Sequence, residues 1–324
     1  MRIGTRKSAM AMAQTEEVIR QLQSHWPDLS VEVADQETRG DDDQRSKLAV
    51  HGGKGGAFVS GIHEGILSGN LQMGMHSLKD MPGNEETPGL VIAAYMKRDD
   101  TEDALLLRSD LQLDEFKASK GKGFKVGTNA VRRAALIRRL FPKVEVIHFR
   151  GAADTRIDKL ENRIPQPLPE PPGGSVGPAD ALILAKSGLY RVGLEKHIAH
   201  VFSRVEMLPA AGQGIVAVEC AETDWETRRI LAAINDKASE AAALAEREVL
   251  WILDGHCNSP IAVHGELSSG AMSLTGQVMS LDGQRLIESK TTGPANLPKD
   301  LGRTVAMDLI RQGAHELIEE SRVD

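Results

Sequence analysis

Cysteine is nearly absent from this chain: two in 324 residues cannot build a disulfide framework, and such usage points to a reducing compartment, the cytoplasm. Aromatic residues make up only 3%, so any core must be aliphatic, drawn from Leu, Ile, Val, Ala and Met. No apolar run approaches the roughly 20 residues that span a bilayer, and MRIGTRKSAM lacks the long apolar segment of a secretory leader, so no membrane partner is expected. Positive charge is not in excess either. A net charge of −7 argues against a general nucleic-acid binder.

The average conceals a local reversal. From Lys117 to Arg163 there are 13 Lys and Arg against 4 Asp and Glu, a net of +9, which leaves −16 on the rest. That segment reads either as a solvated basic helix face or as a site for a small polyanion. Length and hydrophobic content allow two or three domains. MRIGTR, VEVADQET, LQMGMHS, LVIAAYM, FKVGT, VEVIHF and ADALILA read as strands. Helices are expected from an N-cap at Ser8 through Trp26, in GAFVSGIHEGILSG, in NAVRRAALIRRLF and in DTRIDKLENR. Repeated strand–helix–strand units favour α/β layers with parallel sheets. After Asp236 a long helix leads into strands joined by SSGA and LDGQ turns, and a single final helix is expected from about Pro298 to Glu320. The stretch 163–178, with five prolines before its glycine pair, reads as a polyproline-like surface insertion outside the core.

Several of these segments end in polar loops: GTRKS (4–8), TRGD (38–41), HSLKDMP (76–82), GTNAVRR (127–133) and FRGAADTR (149–156). Loops beyond the carboxyl ends of strands in open α/β sheets bind ligands, and guanidinium groups there suit carboxylates or phosphates. Arg132 and Arg133, adjacent on a helix, would point about 100° apart and hold different carboxylates. Lys79 and Asp80 fit a solvated turn, or a carboxylate aimed into a cleft and kept ionised by its neighbour. Cys257, in DGHCNSPI, lacks the spacing of a metal site, and no metal is expected. A Cys–His hydrolase is the weaker reading, since His256, the immediate neighbour, would have difficulty turning back onto the sulfur, and from spacing alone Cys257 stays open between packing and a covalent role. Cys220 reads as packing.

RIGTRKSAMAMAQ, TRGD, GGKGGAFV, HSLKDMP, RDDTEDALL, GTNAVRR, FRGAADTR, LILAKSGLYRVG, LPAAGQGIVAVE and ILDGHCNSPI run in one order along the chain. In that order the sequence resembles the porphobilinogen deaminase (hydroxymethylbilane synthase) family over nearly its whole length. The resemblance implies two α/β domains like type II periplasmic binding proteins, with a cleft between them, and a small C-terminal α+β domain with an antiparallel sheet. The boundaries it suggests are 1–96 with 209–234, then 97–208, then 235–324. It implies a transferase that condenses four porphobilinogen molecules head to tail on a dipyrromethane cofactor held as a thioether by Cys257, releasing ammonia and finally hydroxymethylbilane; nothing in the sequence demands an oligomer, and a monomer is expected. Asp80 matches the family's catalytic aspartate. Arg6, Ser8, Lys79, Thr128, Asn129, Arg132, Arg133, Arg150, Arg156, Arg191 and Gln213 match positions expected to bind cofactor or substrate.

The chain also departs from the family pattern. GTSSLRR is GTNAVRR, RGNVxTR is RGAADTR with an added Asp154, GGC is GHC, and the aspartate shortly before HSLKD is absent, with Gln72 nearby. None of these removes Asp80, Cys257 or the paired arginines. Two other readings stand beside the enzyme: a two-domain anion-binding protein with no use for Cys257, and a relative that binds a pyrrole without polymerising it.

Overall fold

The computed structural model describes residues 1–36, 59–168, 173–255 and 259–321. The TRGD loop, residues 52–58 of GGKGGAFV and Cys257 lie outside the described residues. In chain order the strands are β1 (Arg2–Arg6), β2 (Glu32–Gln36), β3 (Met73–Ser77), β4 (Leu90–Tyr95), β5 (Asp103–Leu107), β6 (Lys125–Gly127) and β7 (Glu145–Ile147). There follow β8 (Gln166–Pro167), β9 (Ser175–Val176), β10 (Ala181–Ala185), β11 (Ile198–Val201), β12 (Val216–Ala221), β13 (Ile261–Ser268), β14 (Ala271–Met279) and β15 (Leu286–Pro294). The helices are α1 (Ala9–His25), α2 (Ser60–Leu67), α3 (Leu113–Ala118), α4 (Val131–Leu140), α5 (Ala153–Glu161), α6 (Lys186–Arg191), α7 (Trp225–Leu231), α8 (Lys237–Ile252), α9 (Pro298–Arg311) and α10 (Ala314–Glu320).

Two five-stranded sheets share one topology. The first runs β2-β1-β3-β12-β4 and the second β7-β6-β10-β5-β11. In each, three strands are parallel, and the fourth in line, β12 or β5, is antiparallel to both neighbours. Both antiparallel strands directly follow a crossing between the units: β5 comes after β4, and β12 after β11. The sheets are therefore mixed, not parallel as expected. Strand–helix–strand rhythm reports the parallel crossovers, but a strand that arrives from the other unit carries no local mark of its direction. Strands β5 and β11 also escaped the sequence reading, β5 because its five residues are all buried and show no alternation.

The third unit packs α8, α9 and α10 against the antiparallel meander β13-β14-β15, around Val249, Val263, Leu274, Val305 and Leu309. Asp236 caps α8 by accepting from the Ser239 amide at 2.8 Å. The expected single C-terminal helix is two: Gly313, at φ 101°, ends α9 and turns the chain into α10. The proline-rich stretch is also more ordered than a surface loop. Gln166 and Pro167 pair with Val176 and Ser175, and buried Gln166 accepts from the Arg150 amide at 3.0 Å. Residues 169–172 within it lie outside the described residues. Among the described residues no helix is long and apolar enough to cross a membrane.

Candidate active site

A cavity of about 1340 Å³ lies between the two α/β units and reaches the third. It exceeds the roughly 300–1,000 Å³ of an ordinary small-ligand pocket. Every described residue expected at the catalytic and binding site lines it: Arg6, Ser8, Lys79, Asp80, Thr128, Asn129, Arg132, Arg133, Arg150, Arg156, Arg191 and Gln213. Gly255, Ser259 and Ile261, which flank the segment bearing Cys257, line it too.

One wall is built from the ends of β1 and β3. Arg6 closes β1, and Ser8 caps α1, its hydroxyl oxygen accepting from the Ala11 amide at 3.3 Å. Strand β3 runs into a 3-10 turn, Leu78–Asp80. Leu78 is buried and its amide donates to the Ile215 carbonyl at 3.0 Å, so the turn is pinned to the segment returning from the second unit. The proline at 82 then stops further regular structure. Lys79 and Asp80 are thus held at the rim by a buried leucine, not left on a mobile turn.

The opposite wall uses the ends of β6 and β7. Asn129 accepts from the Phe149 amide at 3.2 Å and ties the two loops together, while the Thr128 hydroxyl accepts from the Ala130 amide at 3.2 Å. The Nε of Arg156 donates to the Gly151 carbonyl at 2.6 Å. Burial, together with Arg133 and Arg150 nearby, pushes the Arg156 guanidinium down to about 10, against the opposing pull of Asp80. Arg191 pairs with Asp99.

Arg132 and Arg133 correct one expectation. They do not reach for separate carboxylates but close on a single buried one, Asp103 at the start of β5. Arg132 donates to Oδ2 at 2.7 Å; Arg133 donates to Oδ1 at 2.7 and 3.1 Å. Gln213 adds a third donor to Oδ1 at 3.1 Å. Burial alone would raise the Asp103 carboxyl, but the two guanidinium groups hold it well below the usual carboxylate range. Side chains this long can bend from different starting directions toward one anion, so the 100° between their Cα vectors does not decide their targets.

Two structural acids were missed in the sequence. Asp103 heads the run DALLL, and a carboxylate opening a fully buried strand was the available signal. Glu246 sits on the alanine-lined face of α8 with Ser239, Ala242, Ala243 and Val249, a charge where the helical period calls for an apolar residue. Fully buried, it accepts from Arg98 at 2.6 and 3.2 Å, from the Gly212 amide at 2.6 Å and from the Gly265 amide at 2.8 Å. It therefore joins both crossing segments to the third unit.

The cavity's charge suits a polycarboxylate. Among the described residues it is lined by nine Lys and Arg (the seven cations above, with Lys7 and Arg138) against three acids, Asp80, Glu85 and Asp154. The crowding of like charge that depresses Arg156 is what bound carboxylates would relieve. A pyrrole oligomer bearing acetate and propionate groups fits that donor set, and Gly255 and Ser259, on either side of residues 256–258, line the same cavity.

Residues 1–229 match the family model described as porphobilinogen deaminase, dipyromethane cofactor binding domain, and residues 241–311 match the porphobilinogen deaminase C-terminal domain. A porphobilinogen deaminase from Syntrophobacter fumaroxidans is 35% identical over 320 residues, covering 99% of this chain and 97% of that one. Porphobilinogen deaminase 2 from Streptomyces coelicolor is 38% identical over 321 residues, covering 98% of this chain and 96% of that one. Among solved structures, a nutrient binding protein from Burkholderia cenocepacia bound to methionine has a TM-score of 0.41 and 11% identity, covering 72% of this chain and 91% of that one.

Proposed function

The chain belongs to the porphobilinogen deaminase family, and on that basis we propose how its cleft carries out the reaction. It is an enzyme that acts on porphobilinogen in tetrapyrrole synthesis and uses a dipyrromethane cofactor. The observation that carries the site assignment is the convergence of Asp80, the basic side chains and both ends of the Cys257 segment on one cavity. When bound, the cofactor supplies the pyrrole carbon that takes up each incoming unit. Cys257 is the attachment residue in this reading.

Arg6, Lys79, Arg150, Arg156 and Arg191 bind the acetate and propionate groups, with Ser8, Thr128 and Asn129 as neutral donors at the same walls. Arg132, Arg133 and Gln213 act together through Asp103 and set the position of that wall. Asp80 faces the reacting ring. As the substrate's carbon–nitrogen bond breaks and ammonia leaves, a cation remains, and a fixed carboxylate stabilises it. The same carboxylate then accepts the proton lost from the pyrrole carbon once the new carbon–carbon bond has formed. This makes the enzyme a transferase working through four additions. We assign 1–96 with 209–234, 97–208 and 235–324 as its three domains, and a monomer in the cytoplasm as its working form.

Intact mass tests the assignment. Purified protein should exceed its sequence mass by about 420 Da, the mass of a dipyrromethane bearing its acid side chains, and Cys257→Ser should not. An unmodified mass, with no ammonia released on incubation with porphobilinogen, would overturn it.

A further inference from the structure

The imidazoles of His63 and His76 and the carboxylate of Glu219 meet behind the wall that carries Asp80. The three come from different elements: His63 from α2, His76 from β3 and Glu219 from β12. Glu219 lies opposite Gly74 in the β3–β12 ladder and diagonal to His76. A Cβ at Gly74 would stand 3.2 Å from His76 Nε2 and 2.3 Å from Ile62, so the glycine leaves room for the group. As whole residues all three are at least nine-tenths buried.

Their geometry is not that of a hydrogen-bonded cluster. His63 Nε2 lies 2.9 Å and His76 Nε2 3.3 Å from the same oxygen, Glu219 Oε2. All three atoms nonetheless have no partner that meets hydrogen-bond geometry, and they fall within 4.8 Å of one another. Two ring nitrogens and a carboxylate oxygen converging on one point is how lone pairs surround a cation. Ligand atoms around a four-coordinate zinc ion, bound at about 2.0–2.1 Å, stand about 3.3 Å apart, near the 2.9 and 3.3 Å from the two histidine nitrogens to the carboxylate oxygen. On the far side of His63, Nδ1 is 3.2 Å from the Thr87 hydroxyl. Donation from Nδ1 to that oxygen would fix the tautomer that presents the Nε2 lone pair, as an outer partner of a metal ligand does.

We propose that His63, His76 and Glu219 form a binding site for one borderline divalent transition-metal ion of the zinc class, a site that spacing in the sequence could not reveal because its ligands lie at 63, 76 and 219. Two imidazoles and one carboxylate suit such an ion and leave at least one position for water. Arg247 also lies within electrostatic reach of Glu219. Cys220, the next residue, points to the opposite face of β12 into the core and takes no part. His76 also lines the cavity, so the ion would brace the strand leading to Asp80 from behind.

Cobalt(II) added to the chelator-treated, cofactor-bearing protein is the test. One equivalent should bind and give the visible bands of a four- or five-coordinate ion with imidazole ligands, and zinc should displace it. Glu219→Gln and His63→Gln should abolish the spectrum. Thr87→Val, which removes no ligand, should weaken binding by roughly tenfold. Three outcomes would overturn the proposal: no saturable visible spectrum in the unaltered protein, a thiolate-to-metal charge-transfer band, or a spectrum that persists in folded Glu219→Gln. X-ray absorption on the unaltered protein decides the matter even if the variants fail to fold, because absence of imidazole scattering excludes the site.

Discussion

Arg132 donates to Asp103 at 2.7 Å in a pair almost wholly removed from solvent, with Arg133 closing on the other oxygen of the same carboxylate. The cleft wall therefore rests on a buried anion that holds two cations. Asp103→Asn leaves those guanidinium groups facing each other without a counter-charge. It should destabilise the protein by about 3–5 kcal/mol, read from urea or thermal unfolding. An unchanged unfolding midpoint would show that the wall does not depend on the pair.

Asp80 should be separable from cofactor attachment. Asp80→Ala is expected to retain the added mass yet lose ammonia release by about 10²–10⁴-fold, the span associated with loss of a positioned acid–base group. Asp80→Glu keeps the charge but moves it by about 1 Å, which should still cost about 10²-fold. Wild-type ammonia release in either variant would reject the role.

His264 sets an acid limit. Its Nε2 faces Arg204 at 3.0 Å, and since arginine only donates, that nitrogen must offer a lone pair. Burial, with Arg98 and Arg204 nearby, pushes the ring from 6.5 down to about 4, although Glu246 pulls the other way. Between those values the unfolded chain binds a proton that the folded one refuses, so stability falls as pH drops from 6.5 through 4. The loss is at most about 3 kcal/mol. Urea midpoints measured at both ends of this window should differ less in His264→Gln than in the unaltered protein; equal slopes would count against this assignment.

Gly283 joins the third unit to the cleft. It sits in the β14–β15 turn at φ 75°, and a Cβ there would lie 2.3 Å from the Ala135 carbonyl of α4, the helix that bears Arg132 and Arg133. A backbone atom cannot yield as a side-chain tip can. Gly283→Ala should cost at least about 1–3 kcal/mol and weaken the docking of the hairpin on α4. A melting curve that overlays the unaltered protein would contradict this.

The α/β rhythm, the Ser8 cap and the clustering of basic loops were all readable in the chain, because capping, periodicity and loop chemistry are local properties. The C-terminal helix was read as one because its two halves keep a common apolar face, and the weight of Gly313 appears only in its dihedral angle. The exchanged strands β5 and β12 were beyond local reading, since pairing direction belongs to the partner strand. So were the partners of Arg132 and Arg133. An arginine's chemistry names the kind of anion it seeks, but only the fold shows that Asp103 reaches it first.

The placement of β12 between β3 and β4 has a consequence for synthesis on the ribosome. Every strand of the second sheet lies within residues 103–201, so that sheet can close while the chain is still growing. The first sheet cannot, since β3 and β4 keep unpaired edges until residue 221 has emerged. The earlier-made half is thus the later to mature, and a nascent chain stalled before that residue would present two open edges to its neighbours.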